Sequence, residues 1–119
     1  MALVTPIVGS VSAFDATTEK TFTFIANGGD QIVKNEIKIV TNNSNETLVY
    51  QNTVVTFALS QTVPANTLTN GVYYKVAFRT YDSLNNDSAW SNYQPFYCYS
   101  TPTLNFNVSD GQTVYSQNF

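Results

Sequence analysis

Tyr73-Tyr74-Lys75-Val76-Ala77-Phe78-Arg79-Thr80-Tyr81 alternates as only an extended strand can. Tyr74, Val76, Phe78 and Thr80 fall on one side, and Tyr73, Lys75, Ala77, Arg79 and Tyr81 on the other, because strand side chains change face at every residue. Upstream, Pro64 to Gly71 reads as a connection that ends in the turn pair Asn70-Gly71. Further strands are expected over Ile7–Ser12, Thr21–Ala26, Val33–Thr41, Thr47–Asn52 and Val54–Leu59. Val33, Ile37 and Ile39 share one parity, and Phe22 and Phe24 alternate with threonines. Downstream, Asp82 to Ser88 is a polar turn and Tyr93–Tyr99 a last strand. Pro95 has no N–H to give a ladder, so this strand belongs at an edge or begins pairing after Pro95. Seven short antiparallel strands within about 100 residues predict an all-β, two-sheet sandwich over residues 1–100. The inward set is expected to be Phe22, Phe24, Ile37, Ile39, Phe57, Leu59, Leu68, Tyr74, Val76, Phe78, Phe96 and Cys98. Thr101-Pro102 marks a boundary, and Leu104, Phe106 and Val108 alternate again. Residues 101–119 are therefore expected to be a linker plus an extended arm, or the start of a second β domain.

Composition narrows the chemistry. The 119 residues include no histidine, one cysteine, 5 cations and 8 carboxylates. Histidine-based acid–base catalysis, a Ser–His–Asp triad and His-ligated zinc are thereby excluded. One cysteine cannot form an internal disulfide or a Cys-rich metal site. So few cations in an acidic chain leave no footprint for nucleic acid. No apolar run approaches the roughly 20 residues of a helical membrane span, and none reads as a signal peptide, so no membrane insertion is expected. Asn, Thr, Ser and Gln supply 46 positions, which suits turns and outer sheet faces rather than catalysis. None of the carboxylates sits in an apolar setting that would raise its pKa, so no enzyme activity, metal or cofactor is expected.

Leu68 followed six residues later by Tyr74, then Val76 and Phe78, resembles the E–F corner of fibronectin type III domains. The resemblance implies that Leu68 caps the core and that Tyr74 is the corner tyrosine, its hydroxyl bonding back to the corner's main chain. Ser88-Ala89-Trp90-Ser91 is similar to the start of that family's strand G. The tryptophan common on strand B is missing, and Phe22 and Phe24 take its place. Together with Arg79-Thr80-Tyr81-Asp82 and Pro95-Phe96-Tyr97-Cys98-Tyr99-Ser100-Thr101-Pro102, these motifs resemble phage minor structural proteins of low-GC Gram-positive hosts. That family strings fibronectin-like or immunoglobulin-like modules into virion parts. The resemblance implies a non-enzymatic structural module of a phage tail, fibre or capsid decoration. Its partners would be other virion proteins, in a homo-oligomer or symmetric assembly. Its location would be the virion, or outside the cell if the gene is not a phage's. Two alternatives stand beside it: an adhesion module that binds host-surface glycan, and a spacer in a secreted bacterial protein.

Four of the five cations fall on outer positions of two strands: Lys34, Lys38, Lys75 and Arg79. Tyr73, Tyr81, Tyr97 and Tyr99 are expected to frame them. Tyrosine and arginine are favoured in contact patches, so these eight residues form the candidate contact face. The plainer reading is a solvated sheet with cross-strand pairs. Trp90 is the candidate for stacking on a sugar ring, against a plain role covering the sandwich edge near Arg79. Asp82, Asn85, Asn86 and Asp87 crowd one loop with oxygens, as weak calcium sites do, yet they are also ordinary turn formers. Cys98 shares the parity of Phe96 and is expected to be a buried hydrophobe.

Overall fold

In the structure, a computed structural model, residues 2–100 are described; the arm or second domain expected over 101–119 lies outside them. Seven strands follow one another: β1 (Ile7–Val8), β2 (Lys20–Ile25), β3 (Lys34–Thr41), β4 (Leu48–Val55), β5 (Ser60–Val63), β6 (Tyr73–Tyr81) and β7 (Gln94–Tyr97). They form a three-stranded sheet in the order β1-β2-β5 and a four-stranded sheet in the order β4-β3-β6-β7. Every pairing within a sheet is antiparallel, and no helix occurs among the described residues.

The two sheets face each other because each strand carries one apolar parity. β6 gives Tyr74, Val76 and Phe78 to the interior, and β3 gives Ile37 and Ile39. β2 answers from the other sheet with Phe22 and Phe24. Aromatic pairs stitch the layers together: Phe24 meets Phe78 at 4.6 Å between ring centroids, and Phe22 meets Phe96 at 5.2 Å. Cys98 is wholly buried, and that burial, then the Asp15 charge, pushes its thiol up to about 11. A thiol so placed stays protonated and packs as an apolar group.

The chain departs most from the expected strand pattern in two places, and its last strand, expected over Tyr93–Tyr99, is shorter, forming β7 over Gln94–Tyr97. The first strand pairs only at Ile7 and Val8, opposite Ile25 and Phe24. The chain then crosses to the other sheet, where Phe14 bridges Cys98 in parallel beside β7. The second correction concerns residues 47–59. They hold one continuous strand, β4, rather than two, because its inward positions run unbroken through Tyr50, Asn52 and Val54 opposite Ile39, Ile37 and Asn35. The next strand begins only at Ser60. Phe57 thus falls on the crossing between sheets and is 73% exposed, not a core residue, while Leu59 is half-buried. Pro95 lies on β7, at the edge of its sheet, where its missing N–H costs no ladder bond.

The corner before β6 is held from both sides. Gly71, at φ 89°, adopts the left-handed backbone that glycine tolerates best. Thr69 N–H donates to the Tyr74 hydroxyl at 2.9 Å, five residues along. The Asn70 side chain accepts from Ala16 N–H and donates to Asp15, and this bond from Asn70, followed by those from Thr17, holds the Asp15 carboxyl below its ordinary pKa. Removing the phenol in Tyr74→Phe is expected to lower stability by about 1 kcal/mol, the net worth of one hydrogen bond, with the apolar ring retained. Chemical denaturation of the two proteins measures it; equal midpoints would show that the corner bond contributes nothing.

Candidate functional site

The register sets β3 beside β6, so Lys34, Glu36 and Lys38 lie opposite Tyr81, Arg79 and Ala77. Lys75 is next along β6, and all of these residues occupy the outer face of the four-stranded sheet. The connection from β6 to β7 then lays Trp90 and Tyr93 over the cations. Lys38 Nζ is 4.2 Å from the Trp90 ring centre, and the Arg79 guanidinium is 4.6 Å from it. Lys75 and Lys38 lie over Tyr93 at 4.7 and 5.5 Å, and Lys34 and Arg79 over Tyr81 at 4.7 and 5.5 Å. Three rings therefore engage four cations in one connected layer. Each exposed contact of this type is worth about 0.5–1 kcal/mol. Ala77 and Val40 sit on this outer face, opposite Lys38 and Lys75, and are nonetheless buried.

Glu36 is the ionic centre of this layer. Tyr81 Oη donates to its Oε1 at 2.6 Å, Arg79 Nε to the same oxygen at 2.7 Å, and Gln51 Nε2 to Oε2 at 2.6 Å. Arg79 reaches onward to Asp87 at 3.1 Å, and Lys75 pairs with Glu46. Burial raises the Glu36 pKa, but the bonds from Tyr81, Arg79 and Gln51 together outweigh it and hold the carboxyl below its ordinary value. Burial and then the Glu36 carboxylate push the Tyr81 phenol up, and the hydrogen bond to Glu36 raises Arg79. A carboxyl whose folded pKa lies below the unfolded value stabilises the fold above the unfolded pKa of about 4.3, and that contribution fades as pH falls. Glu36→Gln is accordingly expected to flatten the acid limb of a plot of Tm against pH. An acid limb identical to that of the parent protein would contradict the assignment.

The candidate contact face divides in two. Lys34, Lys38, Lys75, Arg79 and Tyr81 are engaged with one another, with Glu36 and Glu46, and with Trp90 and Tyr93. Tyr73, Tyr97 and Tyr99 form a separate row at the other end. Tyr73 packs on Tyr97 at 4.4 Å, and the rings of Tyr97 and Tyr99 lie within 8° of parallel at 6.4 Å. Tyr73 is 63% exposed and Tyr99 42% exposed, so this row presents aromatic surface to solvent. Trp90, the candidate for sugar stacking, is half-buried on its two cations.

The Asp82 loop spends its oxygens on itself. Asp82 accepts from the main-chain N–H groups of Leu84 and Asn86 and from the Asn86 amide. Those bonds, the Asn86 main chain first, hold its carboxyl below its ordinary pKa. Asn85 takes a left-handed φ of 65° within the turn. Among the described residues no cluster of three potential metal ligands occurs. A groove of about 520 Å³ beside Phe57 and Leu59 holds one carboxylate, Asp30, and another of about 390 Å³ beside Tyr93 holds none. Neither groove brings together a pair of carboxylates for acid–base work.

One polar cluster lies inside the sandwich. Asn35 Nδ2 donates to the carbonyls of Ala58 and Ser60, and Gln61 Nε2 donates to the Asn35 side chain and to the carbonyls of Asn35 and Asn52. Asn35 belongs to one sheet and Gln61 to the other, so these bonds tie the layers together at one end. The signal for Asn35 was its inward parity between Val33 and Ile37. Gln61 gives none, because Ser60-Gln61-Thr62-Val63 carries no apolar alternation that would mark β5 off from the connection around it.

No family model matches the sequence, and no curated protein matches it.

Proposed function

We propose that the chain is a fibronectin type III-like structural module of a bacteriophage particle, working through protein–protein contacts and catalysing no reaction. The corner supports the fold part of this reading: Tyr74 bonds back to Thr69, and Leu68 is buried beside it, as the resemblance implies. The division into three strands facing four supports it as well. For function, the observation that carries the reading is the exposed tyrosine row. Tyr73, Tyr97 and Tyr99 offer large, rigid area and hydroxyls while the adjoining cations are already engaged. Such a row suits a neighbour docking on the sheet end, because tyrosine loses little entropy on burial.

The test is to purify particles from an induced lysate of the strain that carries the gene, then identify their proteins by mass spectrometry. Peptides of this chain are expected in the banded particles at a fixed ratio to the major structural proteins. Recovery only from the particle-free medium or from washed cell walls would overturn the reading.

A further inference from the structure

The margins of the two sheets are unequally guarded. β1 has two residues and β5 four. β7 has four, includes Pro95, and is flanked by Phe14, whose N–H donates to the Tyr97 carbonyl and whose carbonyl accepts from Tyr99 N–H. β4 differs on every count. It has 8 residues, lies outermost in its sheet, and reads Leu48-Val49-Tyr50-Gln51-Asn52-Thr53-Val54-Val55, with no charge and no proline. Leu48 is 53% exposed and Val55 82% exposed. An unblocked edge of this kind carries a row of main-chain donors and acceptors that only another strand satisfies well.

We infer that two copies of this chain join edge to edge along β4, antiparallel about a two-fold axis, into one sheet continuous across both. The strand suits its own copy because it carries no charge, so self-pairing brings no like charges together. A two-fold axis normal to the sheet requires each residue to face one of its own parity. Centred on Asn52, that condition sets Tyr50 opposite Val54 on the core side and Gln51 opposite Thr53 on the outer side. An aromatic ring opposite a β-branched residue is a favoured cross-strand pair. Gln61 already donates to the Asn52 carbonyl, which keeps a second lone pair for the partner strand. Two-fold pairing uses the edge of each copy once and closes, so the product is a dimer and not a fibre. The inference stands on β4 alone and is independent of the virion reading.

Sedimentation velocity of the whole chain over a wide dilution series tests it. A monomer–dimer equilibrium is expected for the parent protein. The doubly substituted Gln51→Lys, Thr53→Lys protein should remain monomeric, since its lysines would meet those of the partner while each stays near Glu36 of its own chain. Parent protein that is monomeric throughout would overturn the proposal, as would a folded double variant that still dimerises. Hydrogen exchange on the parent protein gives a second readout that does not depend on how the variant folds. Main-chain amides of β4 should gain protection as concentration rises, and protection independent of concentration would overturn the proposal.

Discussion

Phe78→Ala is expected to cost about 3–5 kcal/mol, the range for emptying a buried aromatic site. Phe78 has no exposed surface, and its ring packs on Phe24 of the facing sheet at 4.6 Å. Its neighbours on β6, Val76 and Thr80, are likewise sealed. The site cannot collapse easily, because the main chain of Phe78 is held twice by Ser91: its N–H donates to Ser91 Oγ at 3.0 Å, and its carbonyl accepts from Ser91 N–H at 2.9 Å. A loss of that size removes much of the roughly 5–15 kcal/mol that keeps a small domain folded. Urea denaturation followed by tryptophan fluorescence would measure it. A loss below about 1 kcal/mol would mean that the two sheets are not packed through this pair.

Asn35→Ala is the second large effect, expected at about 2–3 kcal/mol, because each buried polar group left without a partner costs about 1–3 kcal/mol. The substitution strips the Ala58 and Ser60 carbonyls of their donor and leaves Gln61 with fewer acceptors in the interior. Thr80 lies opposite Asn35 on the neighbouring strand and provides the control of opposite sign. Its Oγ1 is buried with no hydrogen-bond partner among the described residues. Thr80→Val deletes that unsatisfied oxygen at constant shape and is expected to be neutral or to stabilise by up to about 1 kcal/mol. Thermal melts of the two variants beside the parent protein check the pair. A loss at Thr80→Val as large as that at Asn35→Ala would show that the Thr80 hydroxyl is part of the same network.

The strands were legible wherever one face is apolar and the other is not. β6 runs over Tyr73–Tyr81 as its alternation predicted, β2 begins and ends one residue earlier than expected, and β3 begins one residue later. Alternation failed where the chain changes sheets. Phe57 continues a period of two from Val55, yet the strand has ended and the residue sits on the crossing to β5. Likewise Ile7–Ser12 reads as one strand, although only two of its residues pair before the chain turns toward β7. No local pattern marks these switches, because they are set by which sheet each neighbouring strand joins.

The outer face was legible in part for a related reason. Parity places Lys34, Lys38, Lys75 and Arg79 together, since it needs only two adjacent strands. It says nothing of Trp90 and Tyr93, which arrive from a connection and turn those cations from open charges into partners of rings. Glu36 shows the consequence. It is outward by parity yet 6% exposed, because Tyr81, Arg79 and Gln51 close over it. Arg79 and Tyr81 therefore serve the fold, and substituting them would disturb the domain along with any contact it makes. The tyrosine row is the cleaner place to test a docking role, since Tyr73 and Tyr99 leave the core intact when shortened.

If this domain joins a particle through that row, as proposed, a Tyr73→Ser, Tyr99→Ser protein is depleted from purified particles while folding normally. Its Tm in isolation is expected within a few degrees of the parent protein, as for exposed substitutions worth about 0.5 kcal/mol, with a large loss from the particles. Recovery equal to that of the parent protein, from a variant that melts normally, would contradict the proposal.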